Sequence, residues 1–163
     1  MKRIIIHWTA GVGSPNSLEK KHYHYLIDSK GEVHRGIFTP EDNEDCSDGK
    51  YAQHTGGGNT GSIGVALCGM FGFSGVNVKE NYKYLLTKVQ CERMFKFVSE
   101  LCKKYNIPVT PQTVMTHYEF GLKNPKTSSA GKIDIIYLPP YPDIEKNKIG
   151  DFIRSKIRWY MQR

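Results

Sequence analysis

The sequence predicts an α/β fold in which a single mixed central β-sheet is flanked by helices. Ile4-Ile5-Ile6 is a β-branched run without polar alternation, as expected of a strand buried on both faces. Ser62 to Leu67 (SIGVAL) is a second such run. Further on, Cys91, Met94, Phe95, Val98, Leu101, Cys102 and Tyr105 recur at helical spacing. A chain of 163 residues fits one domain with one core, and residues 1–163 are read as that domain.

Arg3 to His7 forms the first strand, and Gly11 to Ser17 (GVGSPNS) has turn chemistry. His22 to Asp28 reads as a strand, with Tyr23, Tyr25 and Ile27 on one face and His22, His24 and Leu26 on the other. Ser29-Lys30-Gly31 is a hairpin turn, and Glu32 to Gly36 returns. Residues 41–50 form an acidic loop, and residues 53–61 (QHTGGGNTG) a glycine-rich one with little intrinsic structure. Residues 70–86 read as an irregular connection with insertions. Thr87-x-x-Gln90 is a capping box that opens the long helix, and Asn106-Ile107-Pro108 ends it. Thr113 to Thr116 is a short strand leading into His117. Residues 121–142 read mostly as loop. A last helix is expected over Gly150 to Tyr160, with Phe152, Ile153, Ile157 and Tyr160 inward.

Hydrophobic content of 39% and charged content of 24% are those of a soluble globular protein. A net charge of +7 and ten tyrosines suit polar or anionic polymers, whether nucleic acid, anionic lipid or cell wall; solubility alone is the competing explanation of the charge. No stretch approaches the roughly 18 apolar residues of a membrane span. Lys2-Arg3 precedes only three apolar residues, too few for a signal peptide, so synthesis in the cytoplasm is expected. Cys91 and Cys102 lie roughly 16 Å apart along one helix and cannot bond. Cys68 falls in a core strand and Cys46 in the acidic loop, which suits a reducing compartment.

The chemistry concentrates at strand ends. His7 and His117 each close an apolar strand, where the main chain is rigid, and Asp134 is a candidate third ligand. Two imidazoles and a carboxylate around zinc leave a fourth position for water. Spacing alone leaves open whether the three meet. Lys132, two residues from Asp134, points the same way in an extended segment and could stabilise an oxyanion; taken alone, it reads rather as a surface lysine on a lysine-rich chain. Tyr23 could orient a water or sit in the core. His22-x-His24 could chelate a metal from one strand face, His54 could line a cleft, and His34 reads as hairpin surface. Gly56-Gly57-Gly58-Asn59 is no phosphate loop, since neither Gly-Lys-Ser/Thr nor a helix follows.

Taken together, these pieces resemble the zinc-dependent N-acetylmuramoyl-L-alanine amidases of the amidase-2 and peptidoglycan-recognition-protein superfamily, from Ile4 to about Tyr141. Ile4 to Ala10 is similar to the family's first-ligand strand, and Tyr23-His24-Tyr25 through Gly31 to its Tyr-His-Phe hairpin. Asn59-Thr60-Gly61-Ser62-Ile63-Gly64-Val65 resembles the Asn-x-x-Ser-Ile-Gly-Val/Ile signature, the most specific piece. His117 matches the second ligand, and Lys132-x-Asp134 the Lys-x-Asp element. The resemblance implies a fold like that superfamily's, zinc on His7, His117 and Asp134, and catalytic roles for Lys132 and Tyr23. It implies a groove bordered by Trp8, His54, Asn59 and Ser62, and cleavage between N-acetylmuramic acid and L-alanine. Ala66 stands where one branch carries a glutamate base, so the chain resembles the phage-lysozyme type that relies on tyrosine and lysine. Ile135 stands where relatives often have proline.

The expectation is therefore a phage or prophage endolysin acting on bacterial peptidoglycan as a monomer, without membrane insertion or nucleic acid, released through a partner such as a holin. A muropeptide-recycling amidase and a non-catalytic peptidoglycan-binding module are the alternatives; the latter typically lacks a zinc ligand. A basic nucleic-acid-binding domain has only charge and tyrosines in its favour.

Overall fold

The computed structural model describes residues 1–75 and 83–163. Five strands and four helices are present among them. In chain order these are β1 (Arg3–Trp8), α1 (Glu19–His22), β2 (Tyr25–Ile27), β3 (Val33–Arg35), β4 (Ser62–Leu67), α2 (Lys88–Tyr105), β5 (Val114–Thr116), α3 (His117–Lys123) and α4 (Ile149–Met161). The strands form one sheet in the order β3-β2-β4-β1-β5. Only β2 and β3 pair antiparallel, as a hairpin; the other neighbours are parallel. The sheet is mixed and flanked by helices, as the sequence predicts. Part of the 70–86 connection lies outside the described residues.

Strand alternation gives the sheet two different faces. Ile4, Ile6 and Trp8 of β1, with Ile63, Val65 and Leu67 of β4, pack with Met94, Phe95 and Val98 of α2 and Ile153 and Ile157 of α4. The opposite face carries Ile5 with Met115 and Phe120, and Leu26 with Ala66 and Cys68. His7 alternates with Ile6 and Trp8 and so belongs to this second face, away from the α2–α4 layer. β1 is an interior strand, paired on both sides by β4 and β5, and His7 is fully buried, which holds the imidazole rigidly.

The long helix begins and ends where the sequence predicts. Thr87 and Gln90 complete the capping box, and Asn106 closes the helix in the left-handed region at φ 54°. Gln90 is buried because its side-chain amide also donates to the carbonyls of Ile27 and Cys68. The last helix, α4, begins one residue earlier than expected and ends one later. It also buries Arg154, which its apolar spacing conceals. All four cysteines are free. Among the described residues no helix is long and apolar enough to cross a membrane.

Two local expectations are corrected. Residues 19–22 turn as the short helix α1, so the strand starts at Tyr25 rather than at His22. Tyr23 therefore joins Leu26, Ala66 and Cys68 instead of sharing the Tyr25 and Ile27 face. The His22–His24 chelate does not form: His22 Nδ1 meets the Gln53 carbonyl, whereas His24 is buried between Asn43 and the Gly64 amide. The second correction is α3, which extends into the segment read as loop and places His117 at its first position. Its signal was present in the sequence, because Thr116-x-x-Glu119 is itself a capping box.

Candidate active site

β1 ends at the site with His7, and β5 runs directly into α3 with His117. Asp134 arrives from the loop after α3. His7 Nδ1 lies 3.1 Å from His117 Nδ1 and 2.9 Å from Asp134 Oδ2, and His117 Nδ1 lies 3.0 Å from the same oxygen. Tetrahedral zinc with bonds of about 2.0–2.1 Å would set its ligand atoms about 3.3 Å apart. The triangle is within a few tenths of an ångström of that spacing. Converging lone pairs of two imidazoles and a carboxylate repel one another unless a cation lies among them. The donor set therefore fits zinc.

The protonation states agree. Burial brings the His7 imidazole down to about 4, against the opposing hydrogen bond to Asp134, so His7 is neutral near pH 7. Burial alone would raise the Asp134 carboxyl. Hydrogen bonds to His117 and His7, and their charge, bring it well below the usual carboxylate range instead. A neutral imidazole and an ionised carboxylate are the forms in which these residues bind metal.

A cavity of about 580 Å³, within the range of ligand pockets, is lined by His117 and Asp134, while His7 stays fully buried. Lys132 and Tyr23 also line the cavity. Lys132 is exposed at its rim. The Tyr23 ring lies 5.1 Å from that of His7. Burial, reinforced by the negative charge of Asp134, pushes the Tyr23 phenol well above its ordinary value, so it keeps its proton. Ala66 is the register partner of His7 across β1 and β4, and Tyr23 packs against its cluster. The ring thus fills space beside the position where a longer side chain would reach toward the ligands.

The remaining expected site residues divide. Trp8, His54 and Asn59 border the cavity, but the Trp8 indole is buried and stands edge-on to Phe73 at 5.2 Å. Asn59 uses its side-chain oxygen to accept the backbone N–H groups of His54 and Thr55. Ser62 is placed elsewhere: its hydroxyl accepts from Arg3 Nε, and it does not line the cavity. Two residues that line the cavity, Ser128 and Gln53, carried no sequence signal. Neither did Ser129, which contacts His117. Ile135 adopts φ 70°, a conformation closed to proline, so the main chain leaves Asp134 along a path that proline could not follow.

No curated protein sequence matches the chain. Among solved structures it is similar to a mutant form of PlyL, at 23% identity and TM-score 0.52 over 96% of this chain and 84% of that one. It is similar to the N-acetylmuramoyl-L-alanine amidase LysC from Clostridium intestinale, at 16% identity and TM-score 0.53 over 96% and 85%. It is also similar to the endolysin amidase LysCS of the same organism, at 16% identity and TM-score 0.53 over 96% and 83%. At these identities the likeness is one of fold. The family model described as N-acetylmuramoyl-L-alanine amidase matches residues 1–132, which include His7, Tyr23, His117 and Lys132. Asp134 lies two residues beyond the match. With most of its length matched, the chain belongs to the N-acetylmuramoyl-L-alanine amidase family.

Proposed function

We propose that this chain is a zinc-dependent peptidoglycan amidase that cleaves the bond between N-acetylmuramic acid and L-alanine and acts as an endolysin. The observation that carries this reading is the meeting of buried His7 with His117 and Asp134 at 2.9–3.1 Å, where His117 and Asp134 line the same cavity as Lys132 and Tyr23.

Zinc held by these three residues would supply Lewis-acid polarisation of the scissile carbonyl and of the attacking water. The protein's own groups do the rest. The Lys132 ammonium, free at the rim, reaches the carbonyl oxygen as it gains negative charge and stabilises it. The Tyr23 hydroxyl, kept protonated, donates to that oxygen or orients the water. As the C–N bond breaks, the proton given up by the attacking water passes to the leaving L-alanine nitrogen, which leaves a lactyl carboxyl group and a free amine. His54 and Asn59 border the groove that takes the stem peptide.

The complete ligand set supports an enzyme over a binding module, and Ala66 supports the tyrosine–lysine type over a glutamate-dependent recycling amidase. The basic charge suits an anionic wall, reached after release through a partner such as a holin. Mass analysis of digested peptidoglycan tests the reading. New L-alanine amino termini on intact glycan strands are expected, and cleaved glycan or unaltered wall would overturn it. A metal assay should find one zinc per chain; lytic activity without zinc would end the proposed mechanism.

A further inference from the structure

His7 and His117 each use Nδ1 toward the ligand triangle, so the fate of each Nε2 decides whether that lone pair is available. Both Nε2 atoms lead to the glycine-rich segment after Gln53. His7 Nε2 lies 3.2 Å from His54 Nδ1 and 3.3 Å from Thr55 Oγ1. His54 Nδ1 is 2.7 Å from Thr55 Oγ1, and His54 Nε2 is 3.3 Å from the Ser62 carbonyl. His117 Nε2 is 3.0 Å from Ser129 Oγ, which in turn is 2.7 Å from the Gly56 carbonyl.

Each chain of contacts ends on a carbonyl, which can only accept. The Ser62 carbonyl therefore requires N–H at His54 Nε2, which leaves His54 Nδ1 as an acceptor. Thr55 Oγ1 donates to that nitrogen, and both of these atoms are then acceptors toward His7 Nε2. On the other side the Gly56 carbonyl takes the Ser129 hydroxyl proton, so the Ser129 oxygen accepts from His117 Nε2. With a cation among the three ligand atoms in place of the Nδ1–Asp134 hydrogen bonds, both imidazoles are Nε2–H forms with Nδ1 lone pairs directed at one point.

The backbone is shaped for this arrangement. A Cβ at Gly64 would fall 2.5 Å from His54 Cγ, so glycine in the Ser-Ile-Gly-Val stretch makes room for the His54 ring against β4. A Cβ at Gly56 would fall 1.7 Å from the side-chain oxygen of Ser128, so glycine there lets the loop approach the segment that carries Ser129. Asn59 holds the backbone of His54 and Thr55 through its side-chain oxygen, and Asn43 in turn donates to the Asn59 carbonyl.

We infer that His54 with Thr55, and separately Ser129, are positioning residues that lock His7 and His117 as Nε2–H tautomers and so preset the zinc site. This deepens the zinc reading and rests on it. His54 then acts through His7 and not through the stem peptide. Outer-shell partners of this kind are typically worth about 10- to 100-fold in metal affinity.

The test measures zinc affinity by chelator competition, together with 15N-edited spectra of the imidazole N–H groups. The proteins compared are the wild type, His54→Ala/Thr55→Val, His54→Asn and Ser129→Ala. The first and last variants should each bind zinc about 10- to 100-fold more weakly. His54→Asn keeps an acceptor near the Nδ1 position and should recover most of the loss, and it serves where the double variant folds poorly. The spectra should separate the two arms: only the His7 Nε2–H loses protection from solvent exchange in the His54 and Thr55 variant, and only that of His117 in Ser129→Ala. Unchanged zinc affinity with both resonances still protected would overturn the proposal. A wild type that binds no zinc would overturn the metal reading instead, and the spectra of the metal-free protein would still decide whether His54 and Ser129 hold the two tautomers.

Discussion

Arg154 grips Glu119 through both carboxylate oxygens, Nη1 to Oε1 at 2.9 Å and Nη2 to Oε2 at 3.0 Å. The same guanidinium donates to the Val114 carbonyl on β5, while Glu119 accepts the Thr116 N–H that caps α3. Arg154 thus ties together the strand and the helix that meet at His117. Replacing it with methionine strands the carboxylate. Arg154→Met should lower stability by about 3 kcal/mol, at the lower end for a broken buried pair because Glu119 is partly exposed. Urea unfolding checks this, and a change below about 0.5 kcal/mol, as for an ordinary surface substitution, would contradict it.

Lys132 borders the cavity without belonging to the ligand triangle. Lys132→Ala should therefore keep one zinc per chain and lower kcat by about 10²- to 10³-fold, as loss of a single oxyanion donor does. Steady-state kinetics on a soluble muropeptide, with metal analysis of the same sample, separates the two effects. Normal turnover in the variant would return Lys132 to the role of a surface residue.

Tyr23 lends the site a proton-bearing hydroxyl and a packed ring, and only the hydroxyl is lost in Tyr23→Phe. The rate should fall by about 10²-fold, while the melting temperature and zinc content stay as in the wild type. An unchanged rate would leave Tyr23 as a packing residue alone.

Burial holds the His24 imidazole down to about 4, against the raising effect of its hydrogen bond to Asn43. Its Nδ1 accepts the Gly64 N–H at 2.9 Å, and protonation would abolish that bond. The folded form therefore resists a proton that the unfolded chain takes up near 6.5, so this stability is present above pH 6.5 and is lost as pH falls toward 4. The loss attributable to His24 is on the order of 3 kcal/mol across that window. Denaturant titrations of metal-free protein at several pH values should show the slope, and His24→Gln should flatten it in proportion. An equal slope in the variant would assign the effect elsewhere.

Much of the fold was legible in local pattern. A buried strand announces itself by unbroken β-branched residues, as at Ile4 to Ile6, and α2 by its capping box and period, because both signals are short-range. Helix α3 was equally legible in Thr116-x-x-Glu119 and was obscured by the glycine, proline and lysine content that follows. Helix α1 was obscured differently, since four residues of Glu-Lys-Lys-His carry no period long enough to oppose a strand reading of His22 to Asp28. The burial of Arg154 could not be read at all: its near partner Asp151 is exposed, and the partners that bury it, Glu119 and Val114, lie 35 and 40 residues away.

The sequence by itself determined the family, the strand-end setting of His7 and His117, and the pairing of Lys132 with Asp134 in one short segment. Only the tertiary structure decided that His7 Nδ1 stands 2.9 Å from Asp134 across 127 residues of chain, and that Ser62 turns away to Arg3. It alone placed His54 behind His7, in the space that Gly64 leaves open. Side-chain type and local period are properties of neighbours along the chain. Which lone pairs converge depends on strand order, register and close backbone approach, and those are settled only when distant segments pack.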